Sequence, residues 1–209
     1  MTKNAVQILK ELVQIPSVFP NEKKIADYCA DFLEKKGFEI SLMPIEKDRY
    51  NIIAQKGNQK KCLLLFGHLD TVPAYGYETN PYTFGVKEDI ITGLGSWDMK
   101  SGIAIILSAV SKVQTNNLGL KIVLTVDEEN ISLGSFKAYT KEFLSNVLVG
   151  LTPEINDSAS ESTHTMLLGR RGRVVYKVKI KGVVGHGASR KGLSAISLAS
   201  KITGYAENL

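Results

Sequence analysis

Side chains that can bind a metal ion or move a proton come directly after several apolar segments of this sequence. His68 and Asp70 end the run LLLFGHLDTVP, Asp98 lies in GLGSWDMKSG, the acidic residues 127–129 follow LKIVLTV, and Glu154 follows VLVGL. Side chains two positions apart on a strand point to the same face, so we expect His68 and Asp70 to point in one direction. Ligand sites of open α/β sheets lie outside the carboxyl ends of the strands. The pattern therefore predicts a polar site at one edge of a sheet.

This group of carboxylates favours a bound cation. Like charges close together raise one another's pKa unless a cation offsets them. An isolated Asp-Glu-Glu run is well explained as a solvated acidic turn, and a His–Asp pair as a simple hydrogen bond. Those explanations weaken when several carboxylates and an imidazole are expected along the same rim. These oxygen and nitrogen donors, without thiolate, suit Zn²⁺, Co²⁺ or Mn²⁺. Their number suggests two metal ions about 3.5–4 Å apart.

The elements that would position these residues alternate between helix and strand. Hydrophobic periodicity and capping signals predict strands near 38–43, 51–55, 61–67, 120–126 and 147–151, and helices at 3–14, 21–36, 99–113 and 133–145. The run 61–67 is continuously apolar, as expected of a strand covered on both faces. This order predicts an α/β fold, a three-layer sandwich with a mostly parallel central sheet.

The sequence changes character after about residue 170. Apolar residues alternate with lysines over 173–181, which predicts a strand with one exposed face, and a helix is predicted over 192–206. We therefore expect two domains. Residues 1–170 would form the part of the chain that carries the metal site, and residues 171–209 would begin a smaller α+β domain.

The composition narrows the class of protein. With 44% hydrophobic and 22% charged residues the chain is globular, and a net charge of +5 comes from scattered basic residues. No aromatic side chains stand among the basic residues to stack bases, so we expect no nucleic-acid binding. No window reaches the roughly 18 uncharged apolar residues of a membrane span. The charged N-terminal segment is unlike a signal peptide, and two cysteines are too few for a disulfide framework. These features predict a cytoplasmic protein.

Three motifs in order carry a resemblance to a known family. GHLDTVP, GLGSWDMKSG and VDEEN, each at a predicted strand end, resemble the dinuclear zinc hydrolases. That family includes acetylornithine deacetylase, succinyl-diaminopimelate desuccinylase, aminoacylase and related carboxypeptidases and dipeptidases. The similarity covers essentially the whole chain, and the passage GRRG…GVVGHGAS resembles the opening of the family's lid or dimerisation domain. The resemblance implies a zinc exopeptidase-like fold.

The resemblance also implies a role for each metal-site residue. His68 and Glu154 would ligate one metal ion, Glu129 would ligate the second, and Asp98 would bridge both. Asp70 would not touch the metal but would hold the His68 ring in its ligating tautomer.

Two further residues would take part in catalysis. Glu128 would be the general base that takes a proton from a metal-activated water and later passes it to the leaving amine. His186, in GVVGHGAS, would reach a neighbouring subunit's site and stabilise the tetrahedral oxyanion. The implied protein is a homodimer through its lid domain, with two Zn²⁺ in each complete site.

The implied activity is hydrolysis of the amide bond of an N-acyl amino acid. A dipeptidase or carboxypeptidase acting on a short peptide is the alternative within the family, and an inactive truncated fragment is the non-catalytic alternative. Arg170, in GRRG, resembles the desuccinylase branch, in which an arginine could pair with an acidic acyl group. The Gly-Leu-Gly at 93–95 resembles the deacetylase branch instead. The sequence leaves the acyl group open.

Three departures from the family pattern affect these expectations. Glu154 lies in LTPEINDS, where the family usually has Glu-Pro-Thr or Glu-Pro-Ser, and Asp157 is the fallback ligand. The segment after His186 lacks the usual proline. The family also supplies a further ligating histidine from a C-terminal region, and His164 is poorly placed to replace it. We therefore expect a C-terminally truncated chain that retains metal weakly and has little activity on its own.

Overall fold

The computed structural model describes residues 4–114, 117–155, 168, 177–188 and 192–206. The chain divides into two compact units, 1–160 and 161–209. The domain boundary expected at residue 170 stays a prediction. None of the helices in the described ranges has the length and apolar character that crossing a bilayer requires.

The described strands form a mixed five-stranded sheet and a separate hairpin. In chain order they are β1 (Glu39–Glu46), β2 (Arg49–Lys56), β3 (Cys62–His68), β4 (Gly85–Lys87), β5 (Ile90–Thr92), β6 (Gly119–Thr125) and β7 (Val147–Leu151). The sheet order is β1-β2-β6-β3-β7, and β4 pairs with β5. Strand β3 pairs in parallel with β6 and β7, whereas β2 is antiparallel to β1 and β6. In this sheet only β2 runs against the others, which confirms the mostly parallel α/β fold.

Helices cover both faces of this sheet. They are α1 (Ala5–Val13), α2 (Lys23–Glu34), α3 (Lys100–Val110), α4 (Leu133–Ala138) and α5 (Lys141–Leu144). The second unit has a helix of its own, α6 (Ala195–Ala206). The first three pack against Ile52, Ile122 and Leu124 in the main core. Val123 points to the opposite face, where it packs with α4 and α5. Each such buried aliphatic side chain contributes about 1.5–3 kcal/mol, and the result is the expected three-layer sandwich.

Strand β6 lies at the centre of the sheet and is buried along its whole length. Its neighbour β3 is largely covered as well, which confirms the expectation for an apolar strand with no exposed face. The edge strand β7 is mostly exposed. The two central strands therefore form a rigid platform, and their carboxyl ends hold the polar side chains that the sequence singled out.

The single helix predicted over 133–145 is wrong, because the structure has two short helices there. Tyr139 takes an extended conformation with ψ 97° and ends α4. The hydroxyl of Thr140 then accepts a hydrogen bond from the Phe143 N–H at 3.1 Å, as helix-capping residues do. A side-chain cap inside an apolar periodic run therefore restarts the helix.

The second unit is described here by itself. The predicted helix over 192–206 is confirmed as α6. The predicted strand over 173–181 is wrong over 177–181, which are irregular, and its first residues lie outside the described part of the chain. The described pairing in this unit is one isolated bridge, in which Val183 and Leu193 exchange two backbone hydrogen bonds of 2.9 Å. An alternating pattern needs a neighbouring strand to become a sheet, and 177–181 have none among the described residues.

Candidate metal centre

The parallel register of the central strands brings two predicted segments to the same edge. His68, the last residue of β3, is the register partner of Thr125, the last residue of β6. The acidic turn 127–129 therefore begins beside the imidazole. Asp98 arrives from a third direction, in the glycine-rich loop just before α3. Three separate segments thus converge, as the position of the strand ends predicts.

The side chains of His68, Asp98 and Glu129 form a compact group at this edge. One potential ligand atom of each lies within 4.8 Å of those of the other two. The His68 Nε2 is 2.9 Å from Asp98 Oδ1, and His68 is 1% exposed while Asp98 is 45% exposed. An imidazole nitrogen with carboxylate oxygens, reachable from one side, is a donor set that fits a catalytic zinc or related ion.

The His68 ring is held from behind by Asp70. The ring Nδ1 is 3.1 Å from the Asp70 backbone oxygen and 3.5 Å from its Oδ1. A neutral imidazole that donates its Nδ1–H to these oxygens keeps the Nε2 lone pair for a metal ion.

Asp70 makes a second set of contacts that the sequence did not reveal. Its Oδ1 accepts a hydrogen bond from the Glu128 N–H at 3.1 Å, and its Oδ2 accepts one from the Glu129 N–H at 2.9 Å. One buried carboxylate therefore orients the imidazole and fixes the backbone of the acidic turn.

Replacing Asp70 by asparagine is expected to weaken Zn²⁺ binding about 10–100-fold, because the support of a ligand is lost. The amide has one acceptor oxygen, and its NH₂ group would face one of the two backbone N–H donors. Titration of the purified protein against a competing chelator measures the change. The exposed Asp89→Asn substitution in the hairpin is the matched control, and an equal affinity for all three proteins would contradict the contacts described.

The pKa values of His68 and Glu129 are both raised within this negatively charged group. Burial and then the neighbouring Asp98 raise the pKa of Glu129 to about 7. Burial alone would lower the pKa of His68, but hydrogen bonds with Asp70 and Asp98 outweigh it and raise that pKa to about 10. In the metal-free protein the carboxylates therefore favour a protonated His68, whose positive charge offsets theirs as a metal ion would.

The metal-free protein is expected to become less stable as the pH rises from 6.5 to 8. Folded His68 has a raised pKa and retains a proton that the unfolded chain releases from pH 6.5 upward, so the free energy of unfolding falls. The window ends at 8 because burial lowers the pKa of Lys100 to about 8, which acts in the opposite direction above that pH. Urea unfolding with chelator present measures the trend. A His68→Gln variant should lose most of it, and an unfolding free energy that rises over this range would refute it.

The other predicted site residues differ in where they lie. Glu128 is beside the group, with its Oε2 4.0 Å from His68 Nε2. Glu154 is described but is not a member of the group. The preceding Pro153 lies against the first turns of α3, where a Cβ on Gly102 would come within 2.5 Å of the Pro153 oxygen.

Several predicted residues belong to the second unit or lie outside the described residues. His186 is exposed in the second unit, and its Nδ1 accepts a hydrogen bond from the Ala188 N–H at 3.2 Å. Arg170, the fallback ligand Asp157 and His164 lie outside the described residues.

Asp127 does not face the group, although it is part of the acidic run. Its side chain is buried and accepts hydrogen bonds from Arg49 Nη2 and from the Leu133 N–H, each at 3.0 Å. These contacts hold the pKa of Asp127 below its usual range despite its burial. Arg49 was not predicted from the sequence, because a single arginine at the start of a strand is usually a solvated surface residue.

An open cleft of about 430 Å³ adjoins the group and is lined by Tyr77, Ile91, Trp97, Asp98 and Glu129 among others. Aromatic and apolar walls beside carboxylates are typical of small-molecule sites. The site therefore has room for a ligand next to the proposed metal position.

A family model and two curated relatives point to the same protein family. The model of "Peptidase family M20/M25/M40" matches residues 64–186, which include both the polar edge and His186. The chain is 32% identical to the succinyl-diaminopimelate desuccinylase of Wolinella succinogenes, over 98% of this chain and 58% of that protein. It is 29% identical to the acetylornithine deacetylase of Pasteurella multocida, over 91% of this chain and 50% of that protein. The chain thus spans about half the length of the curated relatives it matches.

Solved structures share the fold. A tripeptidase from Staphylococcus aureus superposes with a TM-score of 0.65 at 20% identity, covering 96% of this chain and 55% of that one. The aminopeptidase PepT of Bacillus cereus gives a TM-score of 0.63 at 22% identity, over 96% of this chain and 56% of that one.

Proposed function

Because the chain belongs to the peptidase family M20/M25/M40, we propose that it is the catalytic part of a metal-dependent hydrolase that cleaves the amide bond of an N-acyl amino acid. The observation that carries this proposal is the convergence of His68, Asp98 and Glu129 within 4.8 Å, with Glu128 beside them. The names of the two relatives, a desuccinylase and a deacetylase, support an acyl amino acid as the substrate class.

We propose that His68, Asp98 and Glu129 hold the metal ions, with Glu154 as a further ligand. Zn²⁺ is the proposed metal, and Co²⁺ or Mn²⁺ suit the same donors. When bound, the ions would lower the pKa of a water molecule and polarise the scissile carbonyl.

Glu128 is proposed as the general base. Its side chain is 26% exposed and stands 4.0 Å from the His68 ring, so it is near the group and accessible to water. A carboxylate in this position can accept a proton from the attacking water and deliver it to the leaving amine. Asp70 aids this step because it fixes the Glu128 backbone and the His68 ring together.

Two further predicted residues, His186 and Arg170, are proposed to act in a dimeric protein. We propose that His186 stabilises the oxyanion in a homodimer formed through the lid domain and that Arg170 contacts the acyl group. We propose a cytoplasmic location, which the two free, buried cysteines Cys29 and Cys62 support, because thiols stay reduced in that compartment.

The proposed function is tested by incubating the purified protein with Zn²⁺ and N-acetyl amino acids, N-succinyl amino acids and dipeptides. Slow release of free amine from the acyl amino acids at excess Zn²⁺, abolished by a chelator and restored by Zn²⁺, is the expected result, in keeping with the weak metal retention expected of this chain. Cleavage of the dipeptides alone would replace the acyl amino acid proposal with a peptidase. Hydrolysis that a chelator does not affect would contradict the metal-dependent mechanism.

A further inference from the structure

We propose that Arg49, at the start of β2, is a positioning residue that holds the Glu128–Glu129 turn in place through Asp127. The consequence for metal binding rests on the proposed function, whereas the effect on the turn itself does not. Nothing in the sequence motifs points to Arg49, which lies 78 positions from Asp127 along the chain.

Arg49 is the centre of a buried ionic network. Its side chain is 4% exposed and donates to both carboxylate oxygens of Glu22, with Nη2–Oε1 at 2.6 Å and Nε–Oε2 at 2.9 Å. Its Nη1 donates to Glu46 at 2.7 Å and its Nη2 also donates to Asp127 at 3.0 Å. Two-pronged pairing of this kind fixes both position and direction of a guanidinium. Helix α2, strand β2 and the acidic turn are thereby joined at one point.

Asp127 transmits this constraint to the turn. It adopts a left-handed conformation with φ 73°, which is uncommon for residues other than glycine and requires support from its surroundings. The support comes from its carboxylate, which accepts from Arg49 and the Leu133 N–H, and from its carbonyl, which accepts from the Ser132 N–H at 2.7 Å. The residues immediately following Asp127 are the proposed base and ligand.

A second side chain of β2 holds the ends of the same turn. Asn51 lies two positions after Arg49 and is fully buried. Its Oδ1 accepts from the Val126 N–H at 3.1 Å and its Nδ2 donates to the Gly134 oxygen at 2.9 Å. Because β2 is antiparallel to β6, the beginning of β2 lies beside the end of β6. The one reversed strand of the sheet therefore supplies the support for the turn.

The turn is thus fixed from two sides. Asp70 receives the N–H groups of Glu128 and Glu129 on one side, and Arg49 holds Asp127 on the other. Without the guanidinium, the buried carboxylates of Asp127 and Glu22 would lack their compensating charge, and we expect Asp127 to leave its position. The two glutamates would then no longer be held in their present direction.

The test compares Arg49→Lys and Asp127→Asn with the unaltered protein. Lysine keeps the positive charge of Arg49 but cannot make its two-pronged contact with Glu22. Asparagine keeps the shape of Asp127 and tolerates its left-handed backbone, but it lacks the negative charge. We expect the Glu128 and Glu129 amides to exchange hydrogen about 10-fold faster in both variants, with the Ile122 and Leu124 amides unchanged. We also expect Zn²⁺ to bind about 10–100-fold more weakly.

The matched control is Lys121→Met. Lys121 is another buried cation of the same sheet, whose Nζ donates to the Phe143 oxygen at 2.9 Å, away from the turn. Unchanged exchange at Glu128 and Glu129 in both test variants would overturn the inference, as would equal acceleration in the control. If the unaltered protein binds no Zn²⁺, the proposed function fails, and the exchange rates alone then decide the role of Arg49.

Discussion

Replacing Glu128 by glutamine is expected to lower the turnover of acyl amino acid hydrolysis by about 10²–10⁴-fold, the usual contribution of a general base. The amide cannot accept the proton of the attacking water. The change is nearly isosteric, and the backbone of residue 128 is held by its N–H donation to Asp70, so the turn should keep its shape. Bound metal should be unchanged, because Glu128 is not a member of the ligand group. Steady-state kinetics with metal analysis of the same samples measures both quantities.

Glu39→Gln is the matched control for this substitution. Glu39 is an exposed carboxylate at the start of β1, distant in the sheet from the polar edge, and its loss removes the same charge. The control should retain normal turnover. A Glu128→Gln protein that hydrolyses its substrate at the normal rate would show that the base lies elsewhere.

Replacing His68 by alanine is expected to weaken Zn²⁺ binding by more than about 100-fold, beyond the loss expected for a residue that only supports a ligand. The ring Nε2 faces the Asp98 carboxylate at 2.9 Å, so its removal takes away the nitrogen donor of the group. Asp98 and Glu129 would remain as two carboxylates without it. Competition with a chromophoric chelator gives the affinity.

His186→Ala is the matched control for metal binding. It removes the same side chain from the second unit, where the described His186 is exposed and hydrogen-bonds to the Ala188 N–H. Its Zn²⁺ affinity should equal that of the unaltered protein. Equal losses in the two variants would show that neither imidazole has a specific place in the centre, and full affinity of His68→Ala would exclude His68 as a ligand.

The strand ends of the polar edge could be predicted from the sequence because short-range patterns determine them. Continuous apolar runs ending in polar residues gave β3 and β6 with nearly correct bounds. Their parallel register then follows from the α/β order and brings His68 beside the acidic turn. The meeting of His68, Asp98 and the acidic turn at one edge could be predicted in this way, whereas the choice of Glu129 within the turn came from the resemblance to the family.

The support of that edge could not be predicted, because it depends on the pairing of distant segments. Arg49 and Asn51 acquire their meaning only when β2 is placed antiparallel beside β6. An alternation of apolar residues is the same for a parallel and an antiparallel strand, so the direction of β2 is not visible in it. Asp127 was expected at the polar edge with its neighbours, and its left-handed backbone turns it inward instead.

Two predictions for the chain after β6 also differ from the structure. The break between α4 and α5 depends on whether Thr140 uses its hydroxyl as a cap, a choice that periodicity does not record. Residues 177–181 are irregular although apolar residues alternate in them, and they have no neighbouring strand among the described residues. The cap is a local contact that hydrophobic periodicity does not record, whereas a strand also depends on its pairing with another strand.

The central claim, that the side chains at positions 68, 98 and 129 enclose metal ions, is tested most directly by anomalous diffraction at the zinc edge from crystals of the protein grown with Zn²⁺. The account predicts anomalous density at this edge, with donor atoms of His68, Asp98 and Glu129 about 2.0–2.2 Å from the nearest peak, and two peaks about 3.5–4 Å apart where both ions of the complete site bind. A map without zinc at this edge, in which the three side chains point away from one another into solvent, would contradict it.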